Sequence, residues 1–197
     1  SQVADLAGER RGHVSIACSQ ALLPYFLPEQ IAIYRAAHPG VTFSVNVRDR
    51  SQAERDLASF SSDLALVFEP VHLVEFEVLH MLEQPVHAVF RRDGPLARKA
   101  ELRLRDCLDR PLALPARAYG VRHLLELAAT ARGRTLSPAV ESESFELIRH
   151  YVLHEDAVGF QIPIGLKLEG DAALEHRRLS PRDVASGRLL LGQMKGR

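Results

Sequence analysis

The stretch 12–47, GHVSIACSQALLPYFLPEQIAIYRAAHPGVTFSVNV, decides the fold. Val14, Ile16 and Ala17 make 13–18 a buried strand. Ser19 and Gln20 then form a polar corner, and Ser19 is a good helix N-cap. Pro24 suits a first helical turn. Pro28 cannot donate a backbone hydrogen bond, so the helix either kinks there or properly begins there. Phe26, Leu27, Ile31, Ile33, Tyr34 and Ala37 cover a wide arc, which predicts packing on two sides. His38-Pro39-Gly40 stops the helix. Val41, Phe43, Val45 and Val47 alternate as a strand does.

Working outward, Ser51 is expected to cap a short helix over 52–60, and the apolar run 64–68 reads as another buried strand. The order β-α-β-α-β with short connections predicts a parallel-rich sheet covered by helices. Strands are expected at 76–81 and 84–90. A loop at 91–95, a helical turn at 104–108 and a short strand at 111–114 follow. Next come a helix over 121–132 ended by Gly133, a strand at 136–142, a helix over 145–153 and a strand at 157–162 closed by Pro163. The segment 174–179 crosses back, and 188–193 reads as a final strand. The halves share a plan without sharing a sequence, so no internal repeat is assigned. The fold class is α/β, with two Rossmann-like lobes. Ligands in such sheets sit outside the carboxyl ends of the strands, beside helix starts. The corner Cys18-Ser19-Gln20 holds that position in the first lobe.

The 197 residues suit one large domain or two small ones. Lys plus Arg and Asp plus Glu each number 25, so the formal net charge is zero. A chain that grips DNA phosphates carries a basic excess, which argues against this segment being a DNA reader. Its two cysteines, Cys18 and Cys107, form no disulfide framework and read as buried thiols in a reducing compartment. No apolar run reaches the roughly 18–20 residues of a membrane helix. Residues 1–14 hold no intact signal peptide, and a cytoplasmic location is expected.

His150 and His154 lie four apart on an expected helix, but H-E-x-x-H is absent and no metal site is assigned. There is neither G-x-S-x-G nor a glycine-rich phosphate loop, so no catalytic serine and no nucleotide cofactor are assigned. Cys18, at a strand end before a helix start, stands where a thiol pKa can fall, although small buried packing residues are commoner there. Ser144 is either a plain helix cap or a ligand contact.

The opening stretch resembles the start of the effector-binding domain of LysR-type transcriptional regulators. Four further blocks agree in order and spacing: DLASFSSDLALVF (56–68), VFRRDGPLA (89–97), RHLLELAATARG (122–133) and HEDAVGFQIP (154–163). The family usually reads glycine-x-glycine-isoleucine before the last proline, whereas only Gly159 stands here. The resemblance implies two lobes of the type II periplasmic-binding-protein kind, joined by crossover strands, with a small effector in the cleft. It implies lobe I at 12–84 and 184–197, lobe II at 85–183, and the end of a linker helix at 1–11, with the winged helix-turn-helix absent. Carried over by position, the site residues are Cys18, Ser19, Gln20, Phe68 and Glu69 from the first lobe. The second lobe offers Ala118, Tyr119, Ser144, Phe160 and Gln161. Serine hydroxyls and N–H groups at helix starts suit a carboxylate, so a small organic acid is expected as the effector. The implied partners are a second copy, as homodimer or homotetramer, and DNA through the absent domain alone, with no membrane and no cofactor. A transporter's solute-binding protein is the alternative on the same fold. An enzyme would need a set of acid and base groups that the sequence does not show.

Overall fold

The computed structural model describes residues 11–72, 75–167 and 172–196. The linker-helix segment expected at the N-terminus lies outside them, apart from Arg11, which opens the first strand. In chain order the elements are β1 (Arg11–Cys18), α1 (Phe26–Ala37), β2 (Gly40–Val47), α2 (Arg50–Ala58), β3 (Leu64–Phe68), β4 (Phe76–Gln84) and β5 (His87–Arg91). They continue with α3 (Leu104–Leu108), β6 (Leu112–Pro115), α4 (Gly120–Ala131), β7 (Pro138–Ser142), α5 (Phe145–His154), β8 (Gly159–Gln161), β9 (Leu174–Arg178) and β10 (Gly187–Met194). Two compact units result. Unit 1 runs through Leu82 and resumes at Leu189, and unit 2 is Glu83–Arg188.

Unit 1 holds a five-stranded sheet in the order β2-β1-β3-β10-β4. β1 pairs parallel with β2 and β3, and β10 pairs antiparallel with β3. The carboxyl ends of β1, β2 and β3 therefore share one edge. Ala17, Ala65 and Val67 meet Ala53 and Leu57 of α2, which makes one face of the core. A short 3-10 turn, Gln20–Leu22, follows the polar corner, and α1 starts at Phe26. Pro28 is thus the third helical residue, where an N–H would have no intrahelical partner. That position needs neither a kink nor a later start. Ser51 does not cap α2. Asp49 does, in a capping box: its carboxylate accepts from Gln52 N–H at 2.9 Å, and the Gln52 side chain accepts from Asp49 N–H at 3.1 Å.

Phe60 (φ 60°) and Glu69 (φ 55°) are left-handed without being glycine. Such a conformation costs about 1–2 kcal/mol and persists only where the surroundings enforce it. At Glu69 the enforcing contact is Arg50, whose Nε donates to the Glu69 carbonyl.

The strands expected at 76–81 and 84–90 are Phe76–Gln84 and His87–Arg91, the break falling at Pro85, which cannot donate to a ladder. In unit 2, β5 pairs antiparallel with β8 on one side and β9 on the other. β6 and β7 are parallel, and the bridge Leu112–Val158 joins β6 to the approach of β8. Val89, Ala113 and Leu174 pack with Ile148 and Val152 of α5. A Cβ at Gly159 would meet Ile148 Cγ2 at 3.2 Å and Val152 Cγ2 at 3.3 Å, so this one glycine lets α5 lie close on β8. The unit is also clasped by Asp183, whose side chain is 2% exposed. Its carboxylate accepts from Arg103 Nε and Nη2 at 2.8 Å each, Leu104 N–H at 2.9 Å and Arg132 Nε at 3.1 Å.

Candidate functional site

On the edge of unit 1 the backbone knits three strand ends together. Ser19 N–H donates to Leu66 O at 2.9 Å, and Arg48 N–H donates to Cys18 O at 3.0 Å. Ser19 is half-buried with extended backbone, and its hydroxyl makes no capping bond. Gln20 begins the 3-10 turn. Cys18 and Phe68 end their strands buried in the core, while Glu69 turns the chain out of β3.

Sequence reasoning passed over Arg50, which stands at the first turn of α2 on this same edge. Its guanidinium is tied through Nε to Glu69 O and lies in the field of Glu69, Glu54 and Asp49. Glu54, 7% exposed, in turn accepts from Val71 N–H at 2.5 Å and His72 N–H at 2.8 Å. The start of α2 therefore holds the chain where it leaves β3. Only the position of Arg50 three residues past a strand end could have signalled this.

The Cys18 thiol is no nucleophile. Burial pushes its pKa up to about 12, and its Sγ–H donates to Ser19 O at 3.3 Å. Cys107, also fully buried, is pushed up to about 12 by burial and then by Asp106. Neither thiol is expected to react with Ellman's reagent in the folded chain at pH 8. Both are expected to react once it is unfolded, as release of the thiophenolate chromophore will show.

In unit 2, Ser144 caps α5, its Oγ accepting from Leu147 N–H at 3.1 Å. Its own N–H donates to Ser142 Oγ at 2.9 Å. Tyr119 precedes α4, and its ring meets Phe145 edge-on at 4.9 Å between centroids. That contact brings the starts of α4 and α5 together, with Ala118 exposed beside them. Arg122, three residues after Tyr119, is 1% exposed in its side chain. It donates to Pro115 O at 3.0 Å, Glu141 Oε2 at 2.6 Å and Glu126 Oε1 at 2.9 Å. Phe160 and Gln161 are adjacent on a strand and so point to opposite faces. Phe160 is buried, and Gln161 accepts from Ile162 N–H.

The strand registers extend this edge. Gln161 lies opposite His87, and His87 lies opposite Arg178. β8 and β9 end where β5 begins, on the edge where β6 and β7 also end. His87 and His176 meet there, Nδ1 to Nδ1, at 2.9 Å. Burial, then the charges of His176 and Arg178, lower His87 to about 4, and burial lowers His176. Both shifts favour the neutral imidazole. The sequence scan weighed His150 and His154 instead. His150 sits on the surface 3.8 Å from Glu146, and the described residues include no cluster of three or more metal-ligating side chains.

Each unit thus carries polar helix starts along its strand ends, the place where α/β proteins bind small molecules. The description LysR substrate binding domain matches residues 7–191, and the chain belongs to that family. It is 25% identical, over 85% of its length, to the HTH-type transcriptional activator CmpR of Synechocystis. It is 27% identical over 91% of its length to a RuBisCO operon transcriptional regulator of Allochromatium vinosum. The chain spans 55% and 58% of those relatives. Among solved structures, the Synechocystis CcmR regulatory domain in complex with 2-PG has the same fold, at TM-score 0.84 and 20% identity. That match covers 95% of this chain and 89% of that one.

Proposed function

We propose that the chain is the effector-sensing part of a cytoplasmic LysR-type transcriptional regulator. A small organic acid is its effector, gripped at a strand-end edge. The observation that carries this is the edge of unit 1. It sets the Ser19 hydroxyl, which caps nothing, on the same strand ends as the half-buried Arg50 guanidinium. A hydroxyl and a guanidinium together recognise a carboxylate. The complex of CcmR with 2-PG, a protein of the same fold, supports a small ligand of this size.

The family favours this reading over a transporter's solute-binding protein. No helix among the described residues is long and apolar enough to cross a membrane. The ligand acts by preferring one arrangement of the regulator, which a separate DNA-binding segment reads out. The apolar arc of α1 serves a homodimer. Phe26 and Ile33 on it are 37% and 58% exposed, and only Leu27 is buried.

A thermal-shift screen of small organic acids tests the proposal, since a ligand of the folded state raises the melting temperature. The Ser19→Ala variant is expected to bind the best acid about tenfold more weakly, as loss of a hydrogen bond to a charged group predicts. Unchanged affinity by calorimetry removes Ser19 from the site.

A further inference from the structure

The imidazole pair on the edge of unit 2 is half-buried, His87 on β5 meeting His176 on β9. At 2.9 Å between Nδ1 atoms, the pair holds one shared hydrogen, donated by one ring and accepted by the other. The donating ring then has a bare Nε2. One further proton can bond there, giving an imidazolium that still donates to its neutral neighbour through a stronger, charge-assisted bond. A second proton would put a hydrogen on both Nδ1 atoms and break the pair. The site thus has room for one positive charge and no more.

The neighbours disfavour that charge. Arg178, opposite His87 on β9, opposes it, and so does burial. Glu175 favours it only weakly, because its carboxylate is engaged by Arg177 Nη2 at 2.8 Å. From β8 comes the uncharged Gln161, and α5 meets β5 with Ile148 and Val152. An anion at this edge would supply the missing compensation.

We infer that His87 and His176 are the proton-linked part of effector recognition: an anionic effector binds at this edge together with one proton, taken from solvent onto the bare imidazole nitrogen. The inference rests on the organic-acid reading above and adds to it a pH dependence that the helix starts alone would not give. Affinity rises as pH falls from 8 to 6, by up to about tenfold per pH unit.

Calorimetric titration of the whole chain with glycolate and with oxalate tests it. Both acids are fully ionised above about pH 6, so protons taken up belong to the protein. Each titration is run in two buffers of different ionisation enthalpy. The expected result is uptake approaching one proton per acid bound in the wild type. In His87→Gln and His176→Gln, checked as folded by thermal unfolding, uptake is expected near zero, with a flat pH profile. Wild-type binding without proton uptake overturns this inference and leaves the organic-acid reading standing. The same uptake in both variants also overturns it. Binding of neither acid at any pH overturns both.

Discussion

Asp183→Ala is expected to lower the melting temperature by roughly 10 °C. The carboxylate is 2% exposed and accepts from two guanidinium groups and a backbone N–H. Its removal leaves Arg103 and Arg132 facing each other over a buried space. Breaking a buried ion pair from one side costs about 3–5 kcal/mol, and about 1 kcal/mol shifts a chain of this length by roughly 2–4 °C. The hydrogen bond from Arg103 is the largest influence holding the Asp183 carboxyl well below the usual carboxylate range, with the Leu104 N–H and both arginine charges adding to it. A carboxyl lowered on folding stabilises the fold above its unfolded pKa of about 3.9, and that contribution is lost as pH falls through the folded value. The difference between wild type and Asp183→Asn is therefore expected to be full at pH 7 and to shrink in increasingly acid solution. Thermal unfolding across pH measures both effects. A variant as stable as wild type at pH 7 would show that the clasp contributes nothing.

Arg122→Ala is the second large effect, and it joins stability to the site. The side chain is 1% exposed, and the substitution removes the donor shared by Glu126, Glu141 and the Pro115 carbonyl. A loss of about 1–3 kcal/mol is expected, chiefly from the Pro115 carbonyl left without its donor and from the lost packing of the buried stem, because Glu141 reaches solvent and Glu126 keeps Arg117 at 3.7 Å. Because Arg122 ties the end of β6 to Glu141 of β7, the starts of α4 and α5 lose their common support. Weaker binding of the organic acid is expected in the same variant. Arg122→Met restores the volume without the donors, so chemical denaturation of the two variants separates lost packing from lost pairing.

Much of this architecture was legible in the chain. The alternation from Val41 to Val47, the stop at His38-Pro39-Gly40 and the apolar runs at 64–68 and 157–162 are local signals, and local physics honours them. What escaped depends on partners far away in sequence. Ser51 resembles a cap, but Asp49 has Gln52 three residues on and wins the position through a reciprocal pair of bonds. Pro85 sets the break between β4 and β5, later than the pattern of apolar residues suggests. Gly159 looked like a deficit against a two-glycine pattern, yet it is the position where α5 presses on β8.

The candidate site was half legible for the same reason. Ser19 and Ser144 announce themselves because a small polar residue before a helix is a local pattern. Arg50 and the pair His87–His176 do not. Arg50 matters through Glu69, 19 residues on, and the imidazoles meet across 89 residues of chain. Phe68 and Phe160, expected to cover a ligand, are core residues of their units at 3% and 6% exposure. A strand-end phenylalanine is equally compatible with both roles until the register is known.

A crystal structure of the domain with the best acid from the thermal-shift screen tests the central claim most directly. The account predicts that the acid's carboxylate lies within hydrogen-bonding distance of Ser19 and Arg50 on the strand-end edge of unit 1. An acid seated instead in the charged groove of unit 2 lined by Lys99, Asp106, Arg110 and Asp156, with the strand-end edges empty, would contradict it.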